Sequence, residues 1–344
     1  MVDKTGNQTI DDAVERVLSG IKLDRADGLS LISQPVEKLM RAADIVQSRY
    51  GDNTVNSCSI VNAKSGGCAE DCQFCAQSAS FDTDIETHDL LDPDRILTAA
   101  KNAERDGISR FGIVIAGRGV NKLQRPEEWS HIIDAIRRVR RETDLAVDAS
   151  LGTLTKDEAE TLADEGVEHY NHNLETSRRY FSEVVSTHTF DDRLNTLENA
   201  KEAGMQLCSG VILGMGESPA DRIDAALSLR NLGVSSLPIN LLNPIPGTPI
   251  GDQMQDTAAI SRSQLLKTIA VYRLLHPTAN VRIAGGREAN ITYDKQHQLF
   301  EAGADGLVTG DYLTTEGQSP EKDATIIRRS GMEPDMNINP TTNR

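Results

Sequence analysis

Eight short β-rich runs alternate with helical patterns from residue 55 onward, and that alternation limits the fold more than any other feature. The β-rich runs are 55–61, 110–116, 145–150, 167–171, 206–213, 236–242, 280–284 and 306–309. Between them, 94–106, 126–143, 156–165, 190–203, 219–232, 261–275 and 294–302 carry apolar residues at helical spacing. Several of these helices stop at a glycine just before the next strand, at Gly107, Gly166, Gly204, Gly233 and Gly303. Eight such units predict a parallel α/β sheet closed as a (β/α)8 TIM-type barrel. An open doubly wound sheet is the alternative. It loses ground because neither G-x-G-x-x-G nor G-x-x-x-x-G-K-[ST] follows the first strand.

The flanks read differently. Residues 1–52 hold no strand signal and predict an N-terminal helical cap. Residues 1–8 read as a frayed end. Thr9 is a candidate cap for a first helix ending at Gly20, Asp24 for a second, and Pro35 suits the first turn of a third ending near Gly51. The barrel is expected over 53–318, and 319–344 as a short helix and a loose tail.

With 344 residues the chain can bury a large core. Its formal charge of −16 argues against nucleic acid and against anionic membranes as partners. No apolar run is long enough to span a bilayer, and no signal peptide is evident, so a cytoplasmic protein is expected. The acids are spread along the chain and read as a solvated acidic surface. A salt-adapted cytoplasm, as in halophiles, would be one reason for it.

Four of the five cysteines lie in one stretch, Cys58-Ser-Ile-Val-Asn-Ala-Lys-Ser-Gly-Gly-Cys68-Ala-Glu-Asp-Cys72-Gln-Phe-Cys75. Disulfides fit poorly in a chain this large with no secretory signal. A structural zinc site wants four ligands, usually as two short pairs, and no second C-x₂-C exists. An iron–sulfur cube on three thiolates leaves one iron open to bind something else. In a barrel, active sites lie at the carboxyl ends of the strands. The cysteine loop, Asp148, the run Asn171-His-Asn-Leu-Glu-Thr176 and Asn240 fall at or near such ends, and Arg282 lies within the seventh strand. Glu70 and Asp71 read as solvated loop acids, and His172 as a scaffold residue.

The C-x₃-C-x₂-C spacing with Phe74 before the third cysteine resembles the signature of the radical S-adenosylmethionine enzymes. Further pieces resemble one family among them, biotin synthase: Tyr170-Asn-His-Asn-Leu-Glu-Thr-Ser177, Cys208-Ser-Gly210, Gly214-Met-Gly-Glu217, Pro238-Ile-Asn240, Pro246-Gly-Thr-Pro249, Arg282-Ile-Ala-Gly-Gly-Arg-Glu288 and Gly310-Asp-Tyr-Leu-Thr-Thr315. They run in order over residues 55–315. The resemblance implies a sulfurtransferase that converts dethiobiotin to biotin. It implies a [4Fe-4S] cluster on Cys68, Cys72 and Cys75, which cleaves S-adenosylmethionine to a 5′-deoxyadenosyl radical. It implies an auxiliary iron–sulfur cluster as sulfur donor, with Cys208 and Arg282 among its ligands. Asn173, Glu175 and Arg193 would contact S-adenosylmethionine, and Asn171 and Asn240 the ureido group of dethiobiotin. A homodimer and an electron donor such as flavodoxin or ferredoxin are the family expectation.

The chain departs from the family pattern at the auxiliary site. Of the usual three cysteines and one arginine, two cysteine positions are occupied by Gly112 and Asp148. Cys58, a cysteine that many members lack, and Asp148 are candidates to complete the set. The auxiliary cluster is then [2Fe-2S] or another type, as in the anaerobic branch of the family that this stretch resembles.

Overall fold

The computed structural model describes residues 4–254 and 260–336. Its centre is a closed parallel barrel. The strands are β1 (Thr54–Lys64), β2 (Arg110–Ile115), β3 (Ala146–Ser150), β4 (His169–Asn171), β5 (Gln206–Cys208), β6 (Val211–Leu213), β7 (Ser236–Leu241), β8 (Asn280–Ile283) and β9 (Gly306–Val308). Each pairs with the next, except that β5 and β6, in line with one another, both pair with β7, and β9 returns to β1 through Cys58 and Val308. Eight staves therefore close on themselves, as the alternation predicts, and no edge is left unpaired.

The fifth stave, one run in the sequence reading, is broken at Ser209-Gly210. A Cβ on Gly210 would lie 1.7 Å from the Pro238 carbonyl oxygen, so the chain can pass there only as glycine. The break frees the Gly210 backbone: its N–H donates to Asn173 Oδ1 at 3.1 Å, and its carbonyl accepts from Glu175 N at 3.0 Å. Fold and site are thus joined at this point.

Helices cover the barrel. Their starts are capped by Asp92, Thr155, Thr189, Ser218 and Ser261, each accepting from a backbone N–H in the first turn. The 294–302 pattern is instead a 3-10 turn, Tyr293–Lys295, and a short helix, His297–Glu301. Two short helices carried no periodic signal, Arg178–Val184 and Pro249–Gln253. Both border the cysteine loop: Gln73 N donates to Val184 O at 2.9 Å and Gln73 O accepts from Ile250 N at 3.2 Å.

Three helices precede the barrel: Gln8–Leu18, Arg25–Ile32 and Val36–Tyr50. Asp24 caps the second as expected. The first is capped by Asn7, not Thr9, and Thr5 is tied to Asp11, so residues 5–8 are not frayed. The second lies on the outer helix Pro219–Leu232, where a Cβ on Gly28 would be 2.7 Å from Ile223. After the helix Pro320–Arg329, the tail is not loose as far as residue 336. Glu333–Pro334 forms β10 beside the start of β1, and Asp335 accepts from Ser57 N at 2.9 Å. The rest of the predicted loose tail, 337–344, lies outside the described residues. Among the described residues no helix is long and apolar enough to cross a membrane.

Candidate active site

The loop after β1 carries Cys68, Cys72 and Cys75. Gly66 and Gly67 turn it with positive φ. Cys68 then donates its N–H to Gln77 O, Ala79 N donates to Cys68 O, and Cys75 N closes a tight turn on Cys72 O at 2.9 Å. The fold so brings three side chains from eight residues of chain to one place. All five cysteines are free thiols. Burial pushes Cys72 up to about 12 and Cys75 up to about 11, and Cys68 in the same direction. Cys72 and Cys75 each feel another loop cysteine as well as Glu175 and Arg193, and Cys68 feels Glu70 and Arg193. Among the described residues no three His, Cys, Asp or Glu converge tightly enough to grip a single metal ion.

Glu70 is not solvated, contrary to the expectation, while Asp71 is half-exposed but engaged by backbone donors. Glu70 is buried and accepts from Thr187 Oγ1 and from His188 Nδ1. Asp71 accepts from the backbone N–H of Ser186 at 2.9 Å and of Thr187 at 3.0 Å. Burial opposes ionisation of both, but the donors outweigh it and hold them below the usual carboxylate range. They latch the cysteine loop to residues 186–188.

A cavity of about 650 Å³ runs down the barrel from this loop, a size suited to small organic ligands. Cys75 and Phe74 line its mouth. Asn171, Asn173, Glu175 and Arg193 line one wall, and Asn240 faces them from β7. Glu175 adopts φ 68°, a left-handed backbone that costs a non-glycine residue about 1 kcal/mol or more. Its N–H and carbonyl are both bonded across to the fifth stave, which holds it there. Its Oε1 lies 3.6 Å from Arg193 Nη1, while Oε2 is buried without a partner. Burial pushes this carboxyl up against the pull of Arg193. Among the described residues no side-chain hydrogen bond engages Asn171. Asn240 is partly occupied: Oδ1 accepts from Gly285 N at 3.1 Å and Nδ2 donates to Val211 O at 3.3 Å. His172 is no scaffold anchor through its ring, for Nε2 is buried and unpartnered.

Deeper in the cavity, Cys58 and Cys208 face each other from staves one and five of eight. Cys58 therefore points inward, which its sequence alone left open. Arg282 reaches toward both thiols, held by Ser236 Oγ at 3.3 Å and by Leu307 O at 3.0 Å. Burial pushes Cys208 up to about 11 and Cys58 upward, with Arg282 opposing. Asp148 joins this group, but Arg110 holds its Oδ1 in an ion pair and His169 lies 3.6 Å away. Burial raises the Asp148 carboxyl and lowers His169 to about 4. Gly112 faces the same space. A Cβ there would approach Ile60 Cγ2 to 3.1 Å, so Ile60 fills the place a larger side chain would use.

Arg110, His169 and Ser236 were absent from the sequence reading. Each stands two residues before an inward-facing position, Gly112, Asn171 and Pro238, and strand alternation was the signal that marked them. Tyr312, from the loop after β9, also lines the cavity and donates to Glu288 Oε1 at 3.3 Å. Glu217 turns inward on its own loop, accepting from Gly214 N, Met215 N and Arg222, which makes it a brace.

The buried histidines set an acid limit. His169 and His276 are lowered to about 4, and His172 and His188 are lowered too, burial being the main cause. The unfolded chain protonates these rings near 6.5, so it takes up protons first as pH falls. Stability is expected to drop steadily from about pH 6.5 downward. Denaturant midpoints taken between about pH 7 and about pH 5 check this; a flat profile would contradict the burial of neutral imidazoles.

Known proteins share both the motifs and the architecture. A model of the radical SAM superfamily matches residues 63–229, and one of the biotin and thiamin synthesis associated domain matches 238–333. The biotin synthase of Natronomonas pharaonis is 64% identical over 339 residues, spanning 98% of this chain and 91% of that protein. The biotin synthase of Heliobacterium modesticaldum is 45% identical over 311 residues, spanning 90% and 91%. Among solved structures, a methylornithine synthase superposes with a TM-score of 0.79 at 18% identity, over 94% of this chain and 97% of that one. At such identity the likeness speaks for the fold alone. With three loop thiols over a closed barrel, and near full-length identity to curated relatives, the chain belongs to the biotin synthase family of radical S-adenosylmethionine enzymes.

Proposed function

We infer that this chain makes biotin from dethiobiotin by radical sulfur insertion, with S-adenosylmethionine as co-substrate. The observation that carries the reading is one cavity with thiols at both ends and unengaged polar groups between them. Cys75 is at its mouth, Cys58 and Cys208 are deep inside, and Asn171 and Glu175 Oε2 lie on the wall.

Cys68, Cys72 and Cys75 would hold a [4Fe-4S] cluster, which would supply the electron for reductive cleavage of S-adenosylmethionine. Cys58 and Cys208 would hold an auxiliary iron–sulfur cluster, which would supply the sulfur. Thiolates are the natural ligands of such clusters. Gly112 offers none, so this group would rest on two protein thiolates, as a [2Fe-2S] cluster or another type. Arg282 and Arg110 bring two positive charges to a desolvated place, which would stabilise an anionic iron–sulfide group held there. Asp148 already answers Arg110, so it acts as a ligand only by sharing its carboxylate.

Neutral urea wants both donors and acceptors. The Asn171 amide offers both, and Asn240 offers its remaining hydrogen and lone pair. Glu175 Oε2 is placed to accept from ribose hydroxyls, beside Asn173 and Arg193. The barrel wall keeps water from a carbon radical formed between them. The reading includes a flavodoxin or ferredoxin as electron donor, a homodimer and a cytoplasmic location.

Calorimetric titration of the reconstituted protein without reductant tests the division of labour. Asn171→Leu should weaken dethiobiotin binding by about 1–3 kcal/mol, the cost of an unpaired buried polar group, and leave S-adenosylmethionine affinity nearly intact. Glu175→Gln should do the reverse. Equal loss of both ligands in Asn171→Leu would contradict the assignment.

A further inference from the structure

Residues 185–189 join the helix Arg178–Val184 to the helix Phe190–Glu202 and carry His188, whose side chain is 7% exposed. His188 Nδ1 lies 2.6 Å from Glu70 Oε2, and its Nε2 lies 3.1 Å from Arg193 Nε. Arg193 Nη1 goes on to donate to the Asn173 carbonyl at 2.7 Å and faces Glu175 at 3.6 Å. Glu70 sits between Cys68 and Cys72. One hydrogen-bonded line therefore runs from inside the cysteine loop, through an imidazole, to the guanidinium on the cavity wall.

The line has a direction. An arginine Nε only donates, so His188 Nε2 must be the bare nitrogen that accepts. The ring proton is then on Nδ1, where it donates to Glu70. This tautomer is the one a carboxylate on Nδ1 selects. Packing fixes the ring as well as the hydrogen bonds do. The Phe181 ring meets His188 edge-on at 5.5 Å between centroids, and the Arg193 guanidinium carbon lies 5.6 Å from the centre of that same ring. Arg193 otherwise has rotamer freedom that would let its guanidinium leave Asn173 and Glu175.

We propose that His188 is a positioning residue for the co-substrate pocket: Glu70 orients its ring, and the ring aims Arg193 at the wall formed by Asn173 and Glu175. The proposal rests on the reading that Arg193 and Glu175 contact S-adenosylmethionine. It also means that the loop holding the first cluster and the wall holding the co-substrate are set by one shared imidazole, so neither adjusts alone.

Two His188 variants and one control separate the possibilities. His188→Phe keeps a flat ring against Phe181 and removes both hydrogen bonds. His188→Gln keeps one donor and one acceptor. On anaerobically reconstituted protein, His188→Phe should retain iron and sulfide per chain and the cluster's visible spectrum, yet raise the KM for S-adenosylmethionine about tenfold, as losing a bond to a charged group does. His188→Gln should recover most of that loss. Wild-type KM in His188→Phe, or a Gln variant no better than the Phe variant, overturns the proposal. Loss of iron in His188→Phe overturns it too, because the residue would then support the loop rather than aim Arg193. Glu175→Gln tests the underlying reading separately. If that variant binds S-adenosylmethionine as the wild type does, the pocket assignment fails whatever His188 does.

Discussion

Cys72→Ala is expected to lose the first cluster and all S-adenosylmethionine cleavage. Cys72 is the most buried of the loop triad, and its thiol is pushed up to about 12. A cluster has to bind the thiolate, so assembly must remove this proton and takes its driving force from the iron. Two remaining thiolates do not hold a cube that leaves one iron open. The loop itself should survive, because its turn is made by backbone groups and by the Asp71 and Glu70 latches, which the substitution leaves in place. The measurement is iron and sulfide per chain together with 5′-deoxyadenosine formed under a strong reductant. Cleavage that persists in Cys72→Ala would show that the triad assignment is wrong.

Cys208→Ala is expected to uncouple the two halves of the reaction. The variant should keep the first cluster, still form 5′-deoxyadenosine, and yet make no biotin. Among the described residues the deep site has two thiols, which face each other across the barrel with Arg282 acting on both. Removing one would halve the sulfur ligation of the auxiliary cluster, and the buried arginines beside it would then rest on Asp148, Asp335 and the remaining thiol for counter-charge. Cys58→Ala should behave in the same way, since Cys58 points into the same space and is not packed outward. Asp148→Ala should disturb the site less directly, by freeing Arg110 from its ion pair. Full biotin yield from Cys208→Ala would remove the two-cluster reading.

The fold was legible because it repeats. Eight alternating units, most ending their helices at glycine, leave little freedom once the strands are taken as parallel. What the sequence did not show was set by contacts between distant residues. The break in the fifth stave comes from Gly210 lying against the Pro238 carbonyl, a contact no local pattern announces. The inward direction of Cys58 depends on its pairing with Arg110 on one side and Val308 on the other. Its own strand has no clean alternation of apolar and polar residues to reveal it. Glu70 looked like a surface acid because its partner His188 is 118 residues away in the chain. Conversely, the loop cysteines and the Asn171–Glu175 run were legible from spacing and motif, because the chemistry they are proposed to serve needs several donor atoms close together in sequence.

The most direct measurement is the product of the chain itself, reconstituted with iron and sulfide under strict anaerobiosis and given S-adenosylmethionine and a reducing system. Dethiobiotin is the variable. The account predicts that adding it produces a burst of 5′-deoxyadenosine above the background and that biotin appears with it. Deoxyadenosine that forms at the same rate with and without dethiobiotin, with no biotin, would contradict the assignment of the cavity to dethiobiotin and the deep thiols to sulfur transfer.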